Sequence, residues 1–226
     1  MPYTRSERRI VHDYNATVVL ELNEEAELVC NFLKDLFEYN QETAFHCTRV
    51  CKLSIAVGKL FNISELEMKR LCMASILHDI GKIEVPKSIL NKPSLLTNHE
   101  YETIKKHSHS GYMMIKKFDY LKESAELILY HHERYDGNGY PYGICGKDIP
   151  FISRIISVAD AYDAMISKRP YRSALSVNEA LQILHKEKGK QFDGEVVDGF
   201  IEALDSKISK LDDRGISEKK IMFYVK

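Results

Sequence analysis

The 226-residue sequence predicts an all-α domain with a helical N-terminal leader. Three observations carry this expectation. Apolar residues recur at three-and-four spacing in one segment after another, the period of a helix with one buried face. Capping boxes stand at Ser64/Glu67, Thr97/Glu100 and Ser176/Glu179, each ahead of such a segment. Strand-like composition is confined to Ala16 to Leu22 and Ile221 to Val225, which would form either a small ribbon or ordered arms.

In chain order, Leu28, Val29, Phe32, Leu33, Leu36 and Phe37 place one apolar stripe on a leader helix from Glu24 to Phe37. Cys47 to Phe61 continues the same period, and the Ser64 box opens Met68 to His78. The Thr97 box opens Tyr101 to Phe118, and Glu123 to His132 supplies a further helix. Pro150 sits where a first-turn proline is tolerated, starting a helix from Phe151 to Ser167 that Arg169-Pro170 ends. The Ser176 box opens Ala180 to Lys188. Without an internal repeat or long linker, the expected division is a leader or adaptor over 1–40 and one domain over 41–226.

Apolar content of 44% allows a core without covalent staples. A net charge of −1 draws the chain neither to a nucleic-acid polymer nor to a lipid surface, so any phosphate must be met by local charge. Cys30, Cys47, Cys51, Cys72 and Cys145 form no C-x-x-C pair, which fits a reducing cytoplasm. No apolar run approaches the roughly 18 to 20 residues of a membrane span. Arg5, Arg8 and Arg9 have no signal-like apolar stretch after them, so the expected location is cytoplasmic.

His46, His78, His107, His131 and His132 each fall on a predicted helix near carboxylates or other histidines. Glu42 and His46 share a helix face and could grip one ion, although this spacing is common in ordinary helices. His78-Asp79 ends an apolar helix, with Gly81 where a left-handed cap would fit. A divalent cation would satisfy that pair; so would the hydrogen bonds of a helix end. His131-His132 closes Ala125 to Tyr130 in a similar way, and Asp160 interrupts the apolar Ile155 to Ala159, where it needs a cation or donors. Five imidazoles and three carboxylates make a nitrogen-and-oxygen set suited to iron, manganese or zinc. They exceed what one ion can use, so two ions sharing Asp79 are expected, with Glu42 and His46 helping to hold a third.

The segments His78-Asp79-Ile80-Gly81-Lys82 and His131-His132-Glu133-Arg134-Tyr135-Asp136-Gly137-Asn138-Gly139-Tyr140-Pro141 closely resemble the two defining motifs of HD-GYP phosphodiesterases. Glu42 to His46, Lys105 to His107, Val158 to Asp160, Arg169 to Arg172 and Gln191 to Asp193 follow in the family's order. The resemblance implies an HD-superfamily helical bundle around a bi- or trinuclear centre, with iron or manganese, that hydrolyses cyclic di-GMP to pGpG and often to GMP. Carried over by position, Glu42, His46, His78, Asp79, His107, His131, His132 and Asp160 are the metal ligands it implies. Gly194 departs from the family's usual proline and Cys145 interrupts a polar loop; neither is a ligand position.

Asp79 and Lys82 are the expected catalytic residues, Asp79 at the metal-activated water and Lys82 adding positive charge at the phosphate, unless Lys82 is only a solvated helix-end lysine. Lys82, Tyr140, Asp163, Arg169 and Arg172 are the expected substrate contacts; the two arginines could instead be ordinary surface residues. His12, His99, His109 and His185 match no ligand position. A second substrate reading is another cyclic dinucleotide such as cyclic GMP-AMP. A non-catalytic reading is a cyclic di-GMP-binding and interaction module, its glycine-rich loop docking a diguanylate cyclase. The leader stripe, buried against a second copy, would give a homodimer.

Overall fold

Asn40 opens the central helix by accepting the Thr43 amide at 2.9 Å, capping a first turn whose donors would otherwise be unpaired. This helix, α2 (Gln41–Leu60), packs against α1 (Glu24–Tyr39), α3 (Glu65–Leu77), α8 (Phe151–Ile166) and α10 (Gly194–Asp212). The computed structural model describes residues 24–168 and 173–212, and these are helical apart from turns, loops and one isolated bridge between Lys188 and Phe192. The expected all-α fold is observed. The possible ribbon at the two ends, His12, Arg169 and Arg172 lie outside the described residues.

Around α2 the chain adds α4 (Lys87–Leu90), α5 (Asn98–Lys105), α6 (His107–Ile115), α7 (Lys122–Leu129) and α9 (Val177–Lys186). All three capping boxes form reciprocally, at the starts of α3, α5 and α9. In α1, Ala26, Val29 and Leu36 are buried in the same core as α2, with Leu28, Phe32 and Leu33 packed on it. Burying Val29 and Leu36 contributes about 1.5–3 kcal/mol each. The expected division after residue 40 thus falls at the Asn40 cap between two helices that share a core. The stripe from which a homodimer was expected is used within the chain, except Phe37, which meets Phe45 edge-on at 5.6 Å.

Three local expectations are corrected. Tyr101 to Phe118 is not one helix: the chain breaks at Lys106, and the Ile104 carbonyl is taken by His107 Nδ1 at 2.6 Å. A side-chain bond there stands in for one rung of the helix ladder, and no proline or glycine signals it. The helix expected to reach His132 ends at Leu129, leaving both histidines just beyond it.

Gly81 is not a left-handed cap. It lies in a 3₁₀ turn, Ile80–Glu84, and a Cβ there would overlap the His107 carbonyl and the Gly111 amide. Glycine is required because this turn meets the start of α6 backbone to backbone. Gly81→Ala should therefore lower stability by about 1–3 kcal/mol through overpacking. Urea unfolding would check this, with an unchanged midpoint counting against the close approach.

Candidate metal centre

Helix ends place the histidines. His78 caps α3, His107 opens α6, and His131 and His132 follow α7, while His46 projects from the middle of the first half of α2. The last carbonyls of a helix lack ladder partners, and here some are used to orient rings. His78 Nδ1 donates to Ser75 O at 2.8 Å, and His131 Nδ1 to Ile128 O at 2.6 Å. His107 Nδ1 makes the corresponding bond to Ile104 O. A carbonyl only accepts, so Nδ1 carries the proton in all three and Nε2 of the neutral ring presents a lone pair.

Those lone pairs converge. Donor atoms of His107, His131 and His132 lie within 4.8 Å of one another, as do those of His46, His78 and Asp79, and of His78, His131 and Asp160. His107 Nε2 is 3.4 Å from His131 Nε2 and 3.2 Å from His132 Nε2. Asp79 lies between the sets: Oδ1 is 3.3 Å from His107 Nε2, and Oδ2 is 3.5 Å from His78 Nε2 and 3.8 Å from His46 Nε2. Asp160 Oδ1 is 2.9 Å from His46 Nε2.

The donor set fits divalent cations. His78 Nε2 is buried and has no hydrogen-bond partner, which is costly unless a cation takes the lone pair. Burial lowers the pKa of His78 and His131 and pushes His107 to about 4 and His132 to about 3, so these rings are neutral at pH 7 and could each offer a lone pair to a cation. Burial would raise the Asp79 carboxyl, but the positive charge of Lys82, first among the groups around it, holds it well below the usual carboxylate range. Asp160 is held down likewise, chiefly by its hydrogen bond to His46. Together these buried groups can hold more than one ion.

The remaining expected residues surround this core. Lys82 Nζ donates to Asp79 Oδ2 at 2.6 Å. Tyr140 stacks on His132 with ring centroids 4.8 Å apart, and burial raises its phenol pKa. Glu42 is exposed and pairs with Arg49 at 3.1 Å; it belongs to none of the three tight donor groups among the described residues. A cavity of about 150 Å³ opens here, walled in part by Glu42, His46, Arg49, Asp79 and Lys82. Asp163 is placed differently from a substrate contact. Its buried carboxylate accepts from His46 Nδ1 at 2.7 Å and from Arg49, so it faces the back of His46. His99, His109 and His185 are exposed.

Two residues escaped notice in the sequence. Arg49 lies three positions after His46 and seven after Glu42, a helical repeat that would have marked it. Glu133, 2% exposed, accepts the Tyr142 amide at 2.7 Å and the Gly143 amide at 3.0 Å, folding the glycine loop back. A Cβ on Gly139 would overlap the backbone at Glu133 and Arg134, so the loop closes on the residues that begin it. Only the motif's composition hinted at this, because a buried acceptor for loop amides has no sequence period.

The centre sets the pH dependence of the metal-free fold. Unfolded histidines titrate near 6.5, whereas His107 and His132 resist protonation down to about 4 and about 3. Stability is therefore lost as pH falls below about 6.5, because the unfolded chain binds protons that the fold refuses. His46 runs the other way. Burial would lower it, but its bonds to Asp160 and Asp163 outweigh burial and raise it to about 9. Its contribution is complete below about 6.5 and disappears as pH rises through about 9. Chelator-treated protein should show its highest melting temperature near pH 6.5, falling on both sides; a flat profile would contradict these assignments.

Residues 25–196 match the HD domain family. A cyclic di-GMP phosphodiesterase of Thermotoga maritima is 39% identical over 176 residues, 76% of this chain and 48% of that protein. The 3'3'-cGAMP-specific phosphodiesterase 2 of Vibrio cholerae is 32% identical over 198 residues, 86% of this chain and 38% of that protein. The chain thus spans less than half the length of either relative. A crystal structure of the V. cholerae cyclic GMP-AMP-specific phosphodiesterase V-cGAP3 superposes with a TM-score of 0.64 at 21% identity, covering 88% of this chain and 52% of that one. At that identity the likeness shows the fold. No described helix is long and apolar enough to cross a membrane. With the match running from α1 into α10 around the buried His78-Asp79 pair, the chain belongs to the HD domain family.

Proposed function

We propose that the chain is a metal-dependent phosphodiesterase that hydrolyses cyclic di-GMP to pGpG, with GMP as a further product. The observation that carries this reading is Asp79, whose two oxygens face different histidine sets while Lys82 stands at 2.6 Å. His78, Asp79 and Asp160 would hold one ion, and Asp79, His107, His131 and His132 a second. Glu42 with His46 would hold a third at the rim, and iron or manganese suits this donor set. Bound ions of this kind supply Lewis acidity at a phosphate and make water a nucleophile at neutral pH.

The chain's own groups do the rest. Lys82 would bring positive charge to the phosphate as charge builds in the transition state, from a position already fixed by Asp79. Tyr140, stacked on His132, offers an aromatic face beside the centre. Arg169 and Arg172 would meet the distal phosphate or a guanine edge. Five cysteines without a disulfide support work in a reducing cytoplasm.

Anaerobically purified protein loaded with Mn(II) or Fe(II) should convert cyclic di-GMP to pGpG. Metal-loaded protein that leaves cyclic di-GMP intact would defeat this reading, and preferential cleavage of 3'3'-cGAMP would shift it to the substrate named for the V. cholerae relative. His78→Ala should abolish turnover, and Lys82→Ala should lower kcat by about 10²–10³-fold, the usual effect of removing one group that stabilises transition-state charge. Metal analysis of the variants should show a larger loss from Asp79→Ala than from Glu42→Ala, because only Asp79 faces both sets; equal losses would contradict that assignment.

A further inference from the structure

We infer that Arg49 is a positioning residue that fixes both protein ligands of the outermost metal position, His46 through Asp163 and Glu42 directly. This rests on the metal-dependent reading proposed above. Glu42, His46 and Arg49 lie on one face of α2, seven and three residues apart from Arg49. Arg49 Nε donates to Asp163 Oδ1 at 2.7 Å and Nη2 to Asp163 Oδ2 at 3.0 Å, a two-point grip on a buried carboxylate. The same Nη2 reaches Glu42 Oε1 at 3.1 Å and Ser167 Oγ at 3.2 Å.

Each bond has a consequence for the ligands. A guanidinium is always charged and its fork matches a carboxylate, so Asp163 is held as an acceptor in one orientation. Asp163 Oδ2 receives Nδ1 of His46 at 2.7 Å, which assigns the Nδ1 proton and turns Nε2 towards Asp160 and Asp79. His78, His107 and His131 obtain the same service from helix carbonyls. His46, in the middle of a helix whose carbonyls are taken by the ladder, obtains it from Asp163. Glu42 is otherwise exposed, with a side chain 67% accessible, and its bond to Arg49 keeps it on the wall of the cavity rather than in solvent. A lysine has the charge but not the fork, so it could serve Asp163 or Glu42 but not both in this geometry.

The test uses the full chain, stripped with a chelator and titrated anaerobically with Mn(II), with calorimetry and metal analysis as readouts. Wild type should bind more than one ion. Arg49→Lys and Arg49→Met should weaken the His46/Glu42 ion by about 10–100-fold, the usual effect of losing a group that orients a ligand, while the ions at His107, His131 and His132 keep wild-type affinity. Because Arg49→Met leaves Asp163 buried without its partner, Arg49→Met/Asp163→Asn supplies a folded comparison that still lacks the fork. A merely structural arginine would lower the melting temperature of metal-free and loaded protein equally; a positioning role shrinks the rise that Mn(II) produces. Wild-type affinities in Arg49→Lys and in the double variant would overturn the inference alone. Wild type that binds no Mn(II) would overturn the metal reading, and this inference with it.

Discussion

The hydrogen bonds from ring Nδ1 to the carbonyl three residues earlier, at His78, His107 and His131, are the constraint on which the centre depends. Each satisfies a backbone acceptor, assigns a tautomer and points a lone pair inward. A buried imidazole free to rotate could not do all three. Because the lone pairs then face one another without donors, the same bonds that order the rings also leave a concentration of negative potential that only protons or cations can relieve. Burial makes protons poor competitors at His107 and His132, whose pKa values fall to about 4 and about 3.

The bundle supplies the rigidity this arrangement needs. α2, α3 and α8 enclose the His46 and Asp160 side, and the 3₁₀ turn after His78 is pressed backbone to backbone on α6, which carries His107. Asp79 sits at the start of that turn, so its two oxygens are set by contacts on both sides. The glycine loop is tied back by Glu133, which brings Tyr140 onto His132. Scaffold packing and the polarity of the centre are therefore coupled through a few close backbone approaches.

Much of this was legible in the sequence. The capping boxes at Ser64, Thr97 and Ser176 gave true helix starts because a box is a local interaction, complete within four residues. The eight candidate ligand positions were read from histidines and carboxylates on predicted helices and again from motif resemblance, and seven of them meet in the three donor groups, with Glu42 on the rim. What was missed depends on tertiary contact. The break at Lys106 goes with the His107 ring taking the Ile104 carbonyl, and the role of Gly81 with two backbones meeting; neither leaves a mark in local composition. Asp163 was read as a substrate contact, and nothing in its local sequence tells which way it points; its carboxylate bonds His46 and Arg49 instead.

The central claim is that Asp79 joins two metal positions in one centre. Electron paramagnetic resonance of anaerobically Mn(II)-loaded protein tests it most directly. The account predicts a spin-coupled Mn(II) pair in wild type, replaced in Asp79→Asn by an uncoupled signal. An isolated, uncoupled ion in fully loaded wild type, or a coupled pair that survives loss of the Asp79 carboxylate, would contradict it.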